Sequence, residues 1–166
     1  MKNKVELLPT TIQAIIFDFD GVFTDNRVIV NEDGIESVIC NRSDGLGISA
    51  IKQYFIFLLV LSKEKNTVVQ KRCEKLGISC VQGIDDKKTF LAAWLKENAI
   101  NLNHVIYLGN DVNDIECLKY VGCGVVVADA HDDAKRAAKI ILKNNGGQGA
   151  VRELCDLVIS KYKGSQ

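Results

Sequence analysis

Two carboxylates, Asp18 and Asp20, follow directly on the apolar run Ala14-Ile15-Ile16-Phe17 and precede Gly21. So short and uninterrupted an apolar run reads as a strand buried on both faces. Side chains alternate along a strand, so Asp18 and Asp20 project to the same side. Carboxylates crowded at the end of a buried strand repel each other, and a cation between them relieves the repulsion. Oxygen donors in a compact cluster suit magnesium. An acidic turn would also be rich in Asp and Gly. The buried strand before the pair, and Gly21-Val22-Phe23-Thr24-Asp25 after it, favour a site.

Three further places carry polar residues suited to a phosphate ester. Ser62 closes the apolar run Phe55–Leu61; its hydroxyl can bind a phosphoryl oxygen, or simply begin a turn. Lys87 stands near the start of a helix, an unfavourable place for a cation beside the dipole. Either it points at an anion and at Asp18, or it is a solvated surface lysine. Asn110, Asp111 and Asp114 follow Gly109 after another apolar run. They read as metal ligands or as an acidic first helical turn, which the dipole also favours.

The elements that must position these groups alternate. Apolar runs at 14–17, 55–61, 79–82, 104–108, 124–127 and 140–142 are expected strands. Helices are expected at about 43–54 with Leu46, Ile48 and Ile51 inward, then from about Asn66 to Leu76, stopped by Gly77. Others follow from Asp85-Asp86-Lys87-Lys88 onward, at 115–120, at 132–139 and at 150–162. Strands and helices in alternation with short connections specify an α/β fold, a parallel sheet covered by helices on both faces. Residues 27–40 instead read as a protruding β-hairpin turning at Asn31-Glu32-Asp33-Gly34. A hairpin so apolar wants a partner, such as another subunit. Residues 1–11 look like a polar lead-in.

At 166 residues one domain spanning 1–166 is expected, with the hairpin an insertion at about 22–40. Lys plus Arg and Asp plus Glu number 21 each, so no global field favours nucleic acid or a membrane surface. An anionic substrate therefore needs a local basic cluster. No apolar run is long enough for a membrane span. The six cysteines are scattered without C-x-x-C pairs, which reads as free thiols in a reducing cytoplasm.

The stretch Asp18-x-Asp20-Gly21-x-x-Thr24-Asp25, with Ser62, Lys87 and Gly109-Asn110-Asp111 in order behind it, resembles the haloacid dehalogenase (HAD) superfamily of aspartate-nucleophile phosphotransferases. It is most similar to the small branch without a cap domain that dephosphorylates eight- and nine-carbon keto-sugar acids. Asn41-x-x-Asp44-Gly45-x-Gly47, Arg72-x-x-Lys75-Leu76-Gly77, Gln82-Gly83-x-x-Asp86-Lys87 and Gly146-Gly147-x-Gly149-Ala150-Val151-Arg152-Glu153 carry that resemblance along nearly the whole chain. It implies a single Rossmann-like domain and magnesium. Asp18 is then the nucleophile and Asp20 the acid and base, with Ser62 and Lys87 on the phosphoryl group. Asp18, Asp20 and a residue among Asn110, Asp111 and Asp114 would hold the metal. Glu64, Arg72, Lys75, Asp44 and Gly147 would meet the substrate. The resemblance also implies a homotetramer built on the hairpins.

Octulosonate-phosphate phosphatases tend to read Thr-Gly-Arg after the second strand, and nine-carbon enzymes Thr-Gly-Glu. Ser62-Lys63-Glu64 therefore points to a phosphorylated nine-carbon keto-sugar acid, with 3-deoxy-octulosonate 8-phosphate as the alternative. Asn110 stands where the family usually has an aspartate ligand, and Lys63 where it usually has glycine. Similar Gly-Asn-Asp versions belong to domains joined to acylneuraminate cytidylyltransferases. A catalytically weak oligomerisation module associated with such an enzyme is thus the reading of another class.

Overall fold

The computed structural model describes residues 3–164. Its frame is a six-stranded parallel sheet built from β1 (Ala14–Phe17), β4 (Phe57–Leu61), β5 (Ser79–Val81), β6 (Val105–Gly109), β7 (Cys123–Val126) and β8 (Ile140–Ile141). The spatial order is β5-β4-β1-β6-β7-β8. The chain winds outward from β1 through β4 to β5, then returns to β6 on the other side of β1. That reversal puts the topological switch point beside β1, where ligands bind beyond the carboxyl ends of the strands. Every residue of β1 is buried, as its unbroken apolar run requires.

Helices cover both faces. On one side α2 (Arg42–Ile51) packs on α7 (Ala150–Lys163) and touches α3 (Thr67–Leu76). On the other, α4 (Lys87–Glu97), α5 (Ile115–Tyr120) and α6 (Asp132–Ala137) lie in succession. Strands β2 (Ile29–Val30) and β3 (Glu36–Ser37) form the antiparallel hairpin, and no cap domain follows it. No described helix is long and apolar enough to cross a membrane. Among the described residues all six cysteines are free.

Several local expectations are corrected. The lead-in is not featureless: Asn3 caps the short helix α1 (Lys4–Leu7), and Leu8 and Ile12 join the core. Helix α2 is capped by Asn41, whose Oδ1 accepts from Ser43 N at 2.9 Å, rather than by Ser43. Its inward face is Asp44, Gly47, Ile48 and Ile51, spaced three, one and three apart, which turns Leu46 outward at 65% exposure. Strand β4 begins at Phe57, not Phe55. Phe55 ends the preceding turn in the left-handed region (φ 55°) and is 93% exposed.

Candidate active site

The carboxyl ends of β1, β4 and β6 and the start of α4 deliver Asp18, Ser62, Asn110 and Lys87 to one place. Asp18 Oδ1 accepts from Phe19 N at 2.8 Å and pairs with Lys87 Nζ at 2.8 Å. Lys87 Nζ also donates to Asp114 Oδ1 at 2.9 Å. All three side chains are buried. Two carboxylates and one ammonium leave an uncompensated negative charge in the interior, a costly arrangement unless a further cation joins it. Burial first, and Asp114 second, push Asp18 up to about 7 despite Lys87. Burial alone would depress Lys87; Asp18 and Asp114 outweigh it, and the net shift is upward. Asp114 contributes to both shifts, although burial is the larger cause of the first.

Asp18 Oδ2 looks the other way. The amide oxygen of Asn110 stands 3.3 Å from it and 3.0 Å from the backbone carbonyl oxygen of Asp20. The Asn110 amide thus faces both the Asp18 carboxylate and the Asp20 carbonyl, and its oxygen can join them as a third acceptor in one of its two orientations. Turned by half a rotation, the same amide would donate to both oxygens, so Asn110 serves the pocket with or without a cation. A triangle of carboxylate, carbonyl and amide oxygens beside a buried surplus charge fits a hard divalent ion. No three His, Cys, Asp or Glu side chains converge among the described residues, so such a site depends on the mixed donors. Gly21 makes room for it: a Cβ there would lie 1.9 Å from Asn110 Nδ2.

Of the three residues expected to offer a metal ligand, Asn110 faces the Asp18 and Asp20 oxygens, whereas the Asp114 carboxylate and Asp111 Oδ1 are engaged elsewhere. Asp114 Oδ1 takes Lys87 and the Tyr107 hydroxyl (2.7 Å), and Oδ2 takes Asn110 N (2.9 Å) and Asp111 N (3.4 Å). Its accepting positions are filled, so it holds Lys87 rather than a metal. Gly109 allows this approach, since a Cβ there would sit 2.4 Å from Asp114 Oδ2. Asp111 Oδ1 is occupied capping Val112 N at 2.7 Å, although the residue lines the rim of the pocket.

Ser62 and Asp20 face a small pocket of about 120 Å3, with Asp18, Asn110, Asn26 and Glu64 around it. Ser62 is buried, and its Oγ accepts from Glu64 N at 3.1 Å. Burial first, then Glu64, raises Asp20 above the usual carboxylate range; Lys87 opposes and Glu36 adds to the rise. Lys63 reaches outward to Asp85 at 3.7 Å. Thr24 is buried, and its Oγ1 takes Gly21 N and Asn26 N, pinning the loop.

Four expected substrate contacts fall elsewhere. Asp44 is buried between α2 and α7, where its Oδ1 caps Arg152 N at 3.0 Å. Gly147 lies against the backbone of Thr24 and Asp25, and its N–H bonds Val22 O at 3.0 Å, so it braces the loop from behind. Arg72 is drawn to the carbonyl of Asn41 at 2.9 Å. Lys75 is exposed, one turn farther along α3, and neither basic residue lines the pocket. Asn26, Tyr107 and Glu36 were missed. An asparagine in a loop and a tyrosine inside an apolar strand carry no local signal of this kind. A separate cavity of about 500 Å3 is bordered by Lys4, Lys143 and Arg152 and shares no residue with the catalytic pocket.

A nucleophile-ready carboxylate at a switch point, clamped by lysine and facing a cation-ready oxygen set, defines a haloacid dehalogenase-like hydrolase. The family profile of that description matches residues 81–154. The Escherichia coli K12 protein KdsC, a 3-deoxy-D-manno-octulosonate 8-phosphate phosphatase, is 35% identical over 149 residues, 89% of this chain and 79% of that protein. The Moraxella catarrhalis enzyme of the same name, solved with magnesium, phosphate and a KDO molecule, superposes with a TM-score of 0.91 at 32% identity, covering 97% of this chain and 93% of that one. The cobalt-bound Haemophilus influenzae enzyme gives a TM-score of 0.89 at 29% identity, covering 98% and 94%. This chain belongs to the KdsC-type family of HAD phosphatases.

Proposed function

We propose that this chain is a magnesium-dependent phosphomonoesterase acting on 3-deoxy-D-manno-octulosonate 8-phosphate. The single observation that carries the chemistry is Lys87 held at 2.8 Å from Asp18 beside three convergent oxygens. The substrate follows from the relatives, whose names specify that ester. Asp18 attacks phosphorus and the ester P–O bond breaks, leaving an aspartyl-phosphate. Asp20, whose proton affinity is raised by burial and then by Glu64, gives a proton to the departing sugar oxygen. It then takes a proton from the water that attacks the aspartyl-phosphate, which releases phosphate and restores Asp18. Lys87 and Ser62 bind the equatorial phosphoryl oxygens. Asp18, the Asp20 carbonyl and Asn110 would hold magnesium, which supplies charge neutralisation between carboxylate and phosphate.

Glu64 favours a second reading, a nine-carbon keto-sugar acid phosphate, because it borders both the phosphoryl pocket and the space beside it. The hairpin supports assembly into a homotetramer: Val28, Ile29, Val30, Ile35 and Ile39 are 52–61% exposed on it. Phosphate release from the eight- and nine-carbon esters, with magnesium and with chelator, decides among these readings. Turnover is expected to be faster on the eight-carbon ester and lost in chelator, and Asp18→Asn is expected to abolish it with the fold intact. Turnover of neither ester by a folded oligomer would favour the non-catalytic assembly module.

A further inference from the structure

The phosphoryl pocket adjoins a second cavity of about 300 Å3, and the two share Asp20, Asn26 and Glu64. Phe19, Val38, Val68 and Val69 give this cavity apolar walls, and no basic side chain lines it. Its polar groups include two carboxylates delivered by separate elements, Glu64 after β4 and Glu36 from β3 of the hairpin. Asn66 fixes the second of these. Its Oδ1 caps α3 through Val68 N at 2.9 Å, while its Nδ2 donates to Glu36 Oε2 at 2.6 Å. The other Glu36 oxygen has no partner among the described residues.

We propose that Glu36 is a specificity-determining residue, paired with Glu64 to accept hydrogen bonds from hydroxyl or N–H groups on the leaving group. The inference rests on the phosphomonoester reading above. A leaving group that fills this space is best matched by donors without a negative charge, because Asp20, Glu36 and Glu64 border it and no basic side chain lines it; Lys63 and Lys87 lie on the side of the phosphoryl pocket. In a keto-sugar acid phosphorylated at its far end, a polyol stretch separates the ester from the carboxylate. That stretch occupies the cavity, and the carboxylate lies beyond it. The hairpin thereby reads substrate from its own chain as well as offering an apolar surface.

The test compares 3-deoxy-octulosonate 8-phosphate with p-nitrophenyl phosphate, whose leaving group has no donors. Glu36→Gln keeps the shape and the Asn66 bond but puts a donor where an acceptor is needed. The ratio of kcat/KM for the sugar ester to that for the aryl ester is expected to fall at least about tenfold, chiefly through KM. Asn66→Asp, which keeps the helix cap and repels Glu36, is expected to lower the ratio in the same direction. A ratio within about twofold of wild type, or equal losses on both esters, would overturn the proposal. A binding readout separates it from the phosphatase reading: free 3-deoxy-octulosonate is titrated with inorganic phosphate and magnesium present. Weaker binding by Glu36→Gln supports the assignment even if wild type hydrolyses neither ester, an outcome that would defeat only the phosphatase reading. Undiminished binding would refute the Glu36 assignment whatever the turnover.

Discussion

Replacing Asn110 with aspartate probes the cation site most directly. The change is nearly isosteric and places a negative charge 3.3 Å from Asp18 Oδ2 and 3.0 Å from the Asp20 carbonyl. Two unit charges at that separation repel by about 5 kcal/mol at an effective dielectric constant of about 20. Asp18 already lies near 7 through burial and Asp114, so the new pair would share a proton rather than bear the full repulsion. Chelated Asn110→Asp protein is therefore expected to lose about 2–4 kcal/mol of stability at pH 8. Magnesium reverses the sign, because a charged oxygen replaces a neutral one, and affinity is expected to rise about tenfold. At a concentration about 100 times the dissociation constant, magnesium contributes about 2.7 kcal/mol to stability by linkage. Urea unfolding in chelator and across a magnesium series, for wild type and variant, measures both effects. Superimposable curves for the two proteins would show that residue 110 does not face the cation, and the three-oxygen site would fall with it.

Asp114→Asn must leave an NH2 group facing either the Lys87–Tyr107 donors or the two backbone N–H groups, so about 1–3 kcal/mol should be lost, although Lys87 keeps Asp18. A urea midpoint close to wild type would contradict the role given to Asp114. The raised pKa of Asp18 means that the fold retains a proton the unfolded chain has released. Its contribution is therefore complete below about pH 4 and is lost as pH rises through about 7. Chelated protein should be a few kcal/mol less stable at pH 8 than at pH 5, with magnesium flattening the slope; an unchanged slope would refute the coupling. Ile29→Lys, on the exposed face of the hairpin, should shift the protein to smaller species in light scattering. Wild type already monomeric at working concentration would remove the basis for that expectation.

The frame was legible because its strands are short apolar runs that end in polar residues, a pattern that only a buried parallel sheet explains. The same abruptness exposed Asp18, Ser62 and Asn110, since each stands where a buried run stops. What escaped depends on which way a side chain turns. Arg72 and Lys75 share a helix with residues that border the cavity beside the phosphoryl pocket, yet they stand past the first turn, where the carbonyl of Asn41 captures the guanidinium. Asp44, expected to meet substrate from the start of its helix, is instead buried capping another helix. Spacing within one segment says nothing of partners more than a hundred residues away. Glu36 and Asn66, thirty residues apart, likewise meet only after the hairpin folds back over α3.

The resemblance expects an aspartate where this chain has Asn110, and the charges around it give the asparagine a physical reading. Lys87 lies between Asp18 and Asp114, so the buried trio has two carboxylates to one cation. An aspartate at 110 would double the surplus and make the empty pocket depend strongly on metal. An asparagine keeps an oxygen aimed at the same point, and its amide can turn to bond Asp18 and Asp20 instead. The fold then tolerates both states at the cost of weaker binding. On that argument the residue trades metal affinity for stability of the metal-free protein. The trade is visible only where both quantities are measured on the same variant.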